Sequence, residues 1–216
     1  MPIAATRTVA SVAATMARGR GRLACGCGRR ERVCGCVRLL SIDMIDWSAT
    51  FSSSAQPNAP LPEGELRRQV ALLAQPLQAE ELAELADKVG APPESLRTTN
   101  PVAQYGFPDE LLDLYRWCDG GDFAVGERRF EPLLRLSEIR EYLVTYGVIH
   151  WAPGCIPIGM DGGACFYLLD LGARPGPCVL FGGMNELDDP RYVKRLSDGL
   201  LALFADPRAA IDVTSG

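Results

Sequence analysis

CIPIGMDGGACFYLLDLGARPGPCVLFGG, residues 155–183, decides the fold. Three apolar runs, CIPIGM (155–160), ACFYLLDL (164–171) and PCVLFGG (177–183), are divided by Asp-Gly-Gly and Arg-Pro-Gly-Pro. The runs have strand length, and the dividers are turn formers: Gly reaches positive φ, Pro presets its own φ, and Asp bonds nearby backbone N–H groups. The pattern predicts a strand meander. The middle run is apolar at successive positions, so it is the central strand, covered by helices on one side at least.

Upstream, SEIREYLVTYG (137–147) places Ile139, Leu143 and Tyr146 on one helical face, with Ser137 as N-cap and Gly147 as stop. Phe123–Val125 and Arg129–Leu136 are short strand candidates around a turn at Gly126. PDELLDLYRWCDGG (108–121) reads as a helix: Pro108 suits its first turn, Asp109 and Glu110 suit its positive end, and Gly120 and Gly121 terminate it. Two earlier helices are predicted in EGELRRQVALLAQ (63–75) and AEELAELADKVG (79–90), with a Pro- and Thr-containing loop over 91–107. Downstream, Asp188–Pro190 is a turn, and Ser197 caps a last helix in DGLLALFAD (198–206). Helices first, then strands with one inserted helix, then a helix, predict an α+β domain over 61–216. Its sheet is mostly antiparallel, with five or six strands and helices packed on it.

The segment before residue 61 has another texture. Residues 48–62 are rich in Ser and Pro and read as a linker. Residues 1–43 hold eight arginines against Glu31 and Asp43, a net charge of +6. They show no period, so disorder is the expectation. Their Arg-rich, acid-poor composition also suits a transit peptide, or a gene-model extension upstream of Met44. Residues 1–16 lack the compact apolar stretch of a secretory signal. The remainder carries 14 basic and 25 acidic residues, a net of −11. An acidic body disfavours nucleic acid and anionic membrane and favours basic partners, chiefly through association rate. No run of about 18 uncharged apolar residues predicts a membrane span, and the expected location is cytoplasmic.

Cys25, Cys27, Cys34 and Cys36 form two Cys-x-Cys pairs, but structural zinc sites use wider Cys-x₂₋₄-Cys pairs. Cys118, Cys155, Cys165 and Cys178 lie in apolar segments and read as buried free thiols. His150 is the only histidine, and pairing with Cys155 or Cys165 would make a small Cys/His hydrolase, although no motif surrounds either cysteine. The aspartates cluster at turns, where their side chains serve the backbone, and the glycines form no phosphate-binding loop. The reading is therefore a non-enzymatic chain with no cofactor and no catalytic or metal-binding residues. Trp151, in a loop beside acidic turns, is an interface anchor. With Asp161, Asp188 and Asp189 it makes the expected partner-binding face.

Several pieces then recur in a telling order: Pro-x-Glu-Leu-x-x-Leu-Tyr running into Asp119–Gly121, Leu136–Ile139, Ile156-Pro157-Ile158-Gly159, Asp161-Gly162-Gly163, and a strand ending Leu-Leu-Asp at 168–170. This order resembles the SUKH superfamily, the fold of the Smi/Knr cell-wall-assembly regulators and of many bacterial immunity proteins. The resemblance covers roughly 78–205, with its anchors in 107–170. It departs in a Pro-rich insertion at 91–102 and in Asp-Gly-Leu-Leu at the last helix, where the family usually has Ser-Phe. The resemblance implies a protein-binding module, most often an immunity protein that occludes a cognate toxin such as a basic nuclease or deaminase. In other settings it implies a regulatory scaffold with no toxin partner.

Overall fold

A computed structural model describes residues 45–51, 56–125 and 128–205. The basic segment and its four cysteines lie outside the described residues. Seven strands form a single sheet whose spatial order follows the chain. They are β1 (Gln56–Pro57), β2 (Gly121–Val125), β3 (Arg128–Leu133), β4 (Cys155–Met160), β5 (Cys165–Asp170), β6 (Cys178–Gly183) and β7 (Lys194–Ser197). Every neighbouring pair is antiparallel. The helices are α1 (Trp47–Thr50), α2 (Glu63–Leu73), α3 (Ala79–Val89), α4 (Pro101–Tyr105), α5 (Asp109–Trp117), α6 (Glu138–Thr145), α7 (Val148–Trp151) and α8 (Leu200–Ala205). This is the expected α+β architecture, with a slightly higher strand count. The two unforeseen strands are β1, two exposed residues inside the Ser/Pro-rich stretch, and β7, a four-residue Lys-Arg-Leu-Ser segment. Neither is long or apolar enough to leave a two-residue period.

β5 is buried from Phe166 through Leu169, and its successive side chains serve two different layers. Phe166 meets the edges of Tyr142 and Tyr146, with ring centroids 6.0 and 5.2 Å apart, so one face of the sheet lies under α6. The next residue, Tyr167, points the other way. It stacks on Phe130 of β3, at 4.2 Å, and meets Phe181 of β6 at a tilt, at 5.0 Å. Phe204 of α8 closes this second layer 5.4 Å from Phe130. Each buried Phe or Leu stabilises the fold by roughly 1.5–3 kcal/mol relative to exposure.

The second layer extends into the stretch read as linker. Phe51 lies 4.5 Å from Phe123 and 4.9 Å from Phe204, and Trp47 meets Phe204 edge-on at 5.7 Å. Both are buried. Two isolated aromatics make no periodic signal, yet they complete the cover over β2 and α8.

The first layer is locked by polar brackets at helix ends. The α3 N-terminus has a capping box in which the Gln78 N–H donates to Glu81 at 2.6 Å, and Gly90 ends the helix in the left-handed region. The buried Asn100 caps α4 by accepting from Val102 N at 2.9 Å, and its amide donates to the carbonyls of Leu73 and Gln75. The segment read as a loop is thus a short capped helix tied to the end of α2. Ser137 precedes α6 as expected, but its hydroxyl makes no cap bond. Instead Glu138 accepts from Arg135 N at 2.8 Å. Ser197 closes β7 and donates to Gly199 O, so it does not cap α8 either. The carbonyl of Leu203, in the last turn of α8, is taken by the buried Arg128 guanidinium at 2.7 Å.

Candidate protein-binding face

Gly147 stands in the left-handed region, φ 64°, between α6 and α7. A Cβ there would sit 3.0 Å from both Cδ1 and Nε1 of Trp151. The missing side chain therefore lets the Trp151 indole fold back against the corner. One side of that indole lines a depression of about 190 Å³, with Lys88 of α3 and Met184, Asn185, Leu187 and Asp188 from the turn after β6. Leu187 is buried and pins the turn, whose backbone closes through Glu186 N to Gly183 O at 3.0 Å and Asp189 N to Glu186 O at 3.2 Å. The Asp188 carboxylate is exposed and makes no hydrogen bond or ion pair among the described residues.

The other two predicted acids differ. Asp189 accepts from the backbone N–H of Arg191 at 2.9 Å and from its guanidinium Nε at 3.0 Å. That guanidinium holds the carboxyl below the usual range. Asp161 accepts from Gly163 N at 2.9 Å and Cys165 N at 3.2 Å, the turn-stabilising arrangement that short acidic side chains favour. Met184 N donates to Ala164 O at 2.8 Å, which sets the Asp188 turn beside the Asp161 hairpin. Trp151 and Asp188 thus share one depression, Asp189 belongs to the same turn, and Asp161 stands on the adjacent hairpin. Lys88 and Met184 escape sequence reasoning. Nothing in the spacing of Lys88 points to a turn almost a hundred residues away.

Trp151 sits in the last turn of α7, a one-turn helix where the sequence reading has a loop. A second, wider groove of about 460 Å³ lies along β1 and β2, bordered by Asn58, Asp122, Arg135 and Glu138. It contains none of the predicted residues.

The geometry opposes thiolate chemistry. Burial pushes the Cys118 thiol up to about 12 and raises those of Cys155, Cys165 and Cys178 as well. Reactive cysteines need the opposite shift. His150 Nδ1 accepts from Arg97 N at 3.1 Å, and no hydrogen bond joins this ring to a cysteine sulfur among the described residues. Partial burial, then the Arg97 charge, lowers its pKa. Among the described residues no group of three His, Cys, Asp or Glu side chains is placed to hold a metal ion, and no helix is long and apolar enough to cross a membrane.

Residues 78–206 match the sequence model of the SMI1 / KNR4 family (SUKH-1). The chain belongs to this family. No curated protein matches it. The residues that carry the SMI1 / KNR4 resemblance have structural work here. The buried Tyr115 hydroxyl donates to Leu134 O at 2.8 Å, and Asp119 Oδ1 accepts from Leu136 N at 2.9 Å. Together they hang the β3–α6 connection from the end of α5. Gly120, φ 74°, fits beneath it, where a Cβ would lie 2.6 Å from Leu133 O. In this SMI1 / KNR4 member Tyr115, Asp119 and Gly120 build the frame, and other residues of the matched segment make the open depression.

Proposed function

We propose that this chain is a non-catalytic binding module, acting as an immunity protein that neutralises a basic toxin by covering it. The observation that carries the reading is the charge excess: residues 44–216 hold 25 acids against 14 bases. A nuclease that grips phosphates presents the complementary sign. Family membership supports a binding or regulatory role. The raised thiols and the engaged His150 speak against the alternative of a Cys/His hydrolase. The face proposed for contact is the end of the sheet that carries Trp151, Asp161, Asp188 and Asp189, where Asp188 stands unpaired beside an aromatic ring.

The test is capture of purified basic nuclease and deaminase toxins by the full chain, followed by affinity measured over a salt series. The expected result is a complex that inhibits the toxin and weakens as the Debye length falls from about 30 Å at 0.01 M to about 8 Å at 0.15 M. Affinity unchanged across that range would refute the electrostatic reading. The family's other role, a regulatory scaffold, draws on the match to the SMI1 / KNR4 group itself. It predicts binding to a host protein with no effect on any toxin.

A further inference from the structure

The depression under Trp151 is small. Pockets for drug-sized ligands run to about 300–1,000 Å³, whereas this one offers about 190 Å³, room for a single side chain. Its walls are a flat aromatic (Trp151), soft apolar groups (Met184, Leu187), an amide (Asn185), one unpaired carboxylate (Asp188) and one ammonium (Lys88). The Trp151 indole is half-buried, with its Cδ1–Nε1 edge against Gly147 and the His150 ring perpendicular to it at 4.6 Å and 88°. It is therefore a preset platform. Lys88 Nζ is drawn over the Tyr146 ring, 5.9 Å from its centroid.

We propose that this depression seats one arginine side chain of the protein partner, its guanidinium lying on the Trp151 ring and forked onto the Asp188 carboxylate. This rests on the reading of the partner as a basic protein and names the group on it that is recognised. A planar, weakly hydrated guanidinium stacks on an indole and pairs bidentately with a carboxylate, whereas a lysine ammonium is a point charge that does neither as well. An exposed, unpaired carboxylate lining the same depression as the Trp151 indole supplies both halves of that recognition, whereas the Asp161 and Asp189 carboxylates are taken up by their own turns. The opposing charge of Lys88 makes the proposal signed: an arginine in the depression is weakened by Lys88, and a carboxylate there would be strengthened by it.

The experiment uses the full chain with ¹⁵N-labelled tryptophan, which carries three indole N–H groups, Trp47, Trp117 and Trp151. The probes are N-acetyl-arginine amide, its uncharged isostere N-acetyl-citrulline amide, and N-acetyl-aspartate amide, titrated at millimolar concentration. Trp151→Phe identifies the Trp151 signal, and the buried Trp47 is the internal control. The expected result is a saturable shift of the Trp151 signal with the arginine probe, weakened at least about threefold by Asp188→Asn and strengthened about twofold by Lys88→Ala. The citrulline and aspartate probes shift it less. Equal response to citrulline, no loss in Asp188→Asn, or preference for the aspartate probe would overturn the proposal. So would weakening in Lys88→Ala. Because the probes are free amino-acid amides, a failure here leaves the salt-sensitive capture of a basic toxin standing, and failure of that capture leaves this titration readable.

Discussion

Arg140 of α6 forks onto Glu81 of α3, Nε to Oε1 at 2.6 Å and the terminal nitrogen to Oε2 at 2.7 Å. The same guanidinium donates to the carbonyls of Leu72, Gln75 and Pro76, where α2 ends. One side chain thus closes the C-terminal end of α2, the start of α3 and the body of α6. Arg140→Met is expected to destabilise the protein by about 1–3 kcal/mol, because it removes the fork onto Glu81 and the charged donor shared by three carbonyls. Arg140→Lys should not restore the loss, since an ammonium cannot form the fork. Urea unfolding of the three proteins checks both statements.

Glu81 also predicts a pH dependence. Its carboxyl lies below the ordinary 4.5, first because Arg140 hydrogen-bonds the charged form, and desolvation opposes this only partly. A depressed folded pKa means stability that is present above the unfolded value and lost as pH falls through the folded one. The urea midpoint should therefore hold from neutrality to about pH 5 and fall below about 4.5. Glu81→Gln should be less stable at pH 7 and show a shallower acid decline. Equal acid slopes in the two proteins would contradict the assignment.

Phe51 tests how far upstream the packed layer reaches. It touches Trp117, Phe123 and Phe204, so Phe51→Ala is expected to cost about 3–5 kcal/mol. A chain beginning at residue 61 should be destabilised by more, since it also lacks Trp47 and β1. Thermal melts of the full chain, the substitution and the truncation make the comparison.

Tyr115→Phe removes only a hydroxyl but strands the buried Leu134 carbonyl, and about 1–3 kcal/mol of stability should go with it. Asp119→Ala frees the N–H of Leu136 and should cost about 1.5–3 kcal/mol. If these motif residues are frame and not contact, partner affinity measured on the folded fraction should be unchanged in both.

The thiols of Cys118, Cys155 and Cys178 are buried, and desolvation raises their pKa. They should resist iodoacetamide near pH 8 in native protein and label fully in urea, as read by site-resolved mass spectrometry. Fast native labelling at Cys155 would reopen the Cys/His reading.

The sequence by itself determined the antiparallel meander. Apolar runs of strand length between Asp-Gly-Gly and Arg-Pro-Gly-Pro state their own period and turns, and the Tyr115 and Asp119 pieces that announce the family are local in the chain. It also put Trp151 and Asp188 forward as expected contact residues, because an aromatic and an acid at turns are legible one at a time. Only the tertiary structure decided that these two share a depression with Lys88, that Asp189 and Asp161 spend their carboxylates on neighbouring N–H groups, and that Trp47 and Phe51 belong to the core. It also decided β1 and β7. The physical reason is the same in each case. A helix or a hairpin is specified by residues within one or two turns of each other, whereas a two-residue edge strand or a lone buried ring acquires its meaning only from a partner brought to it by folding.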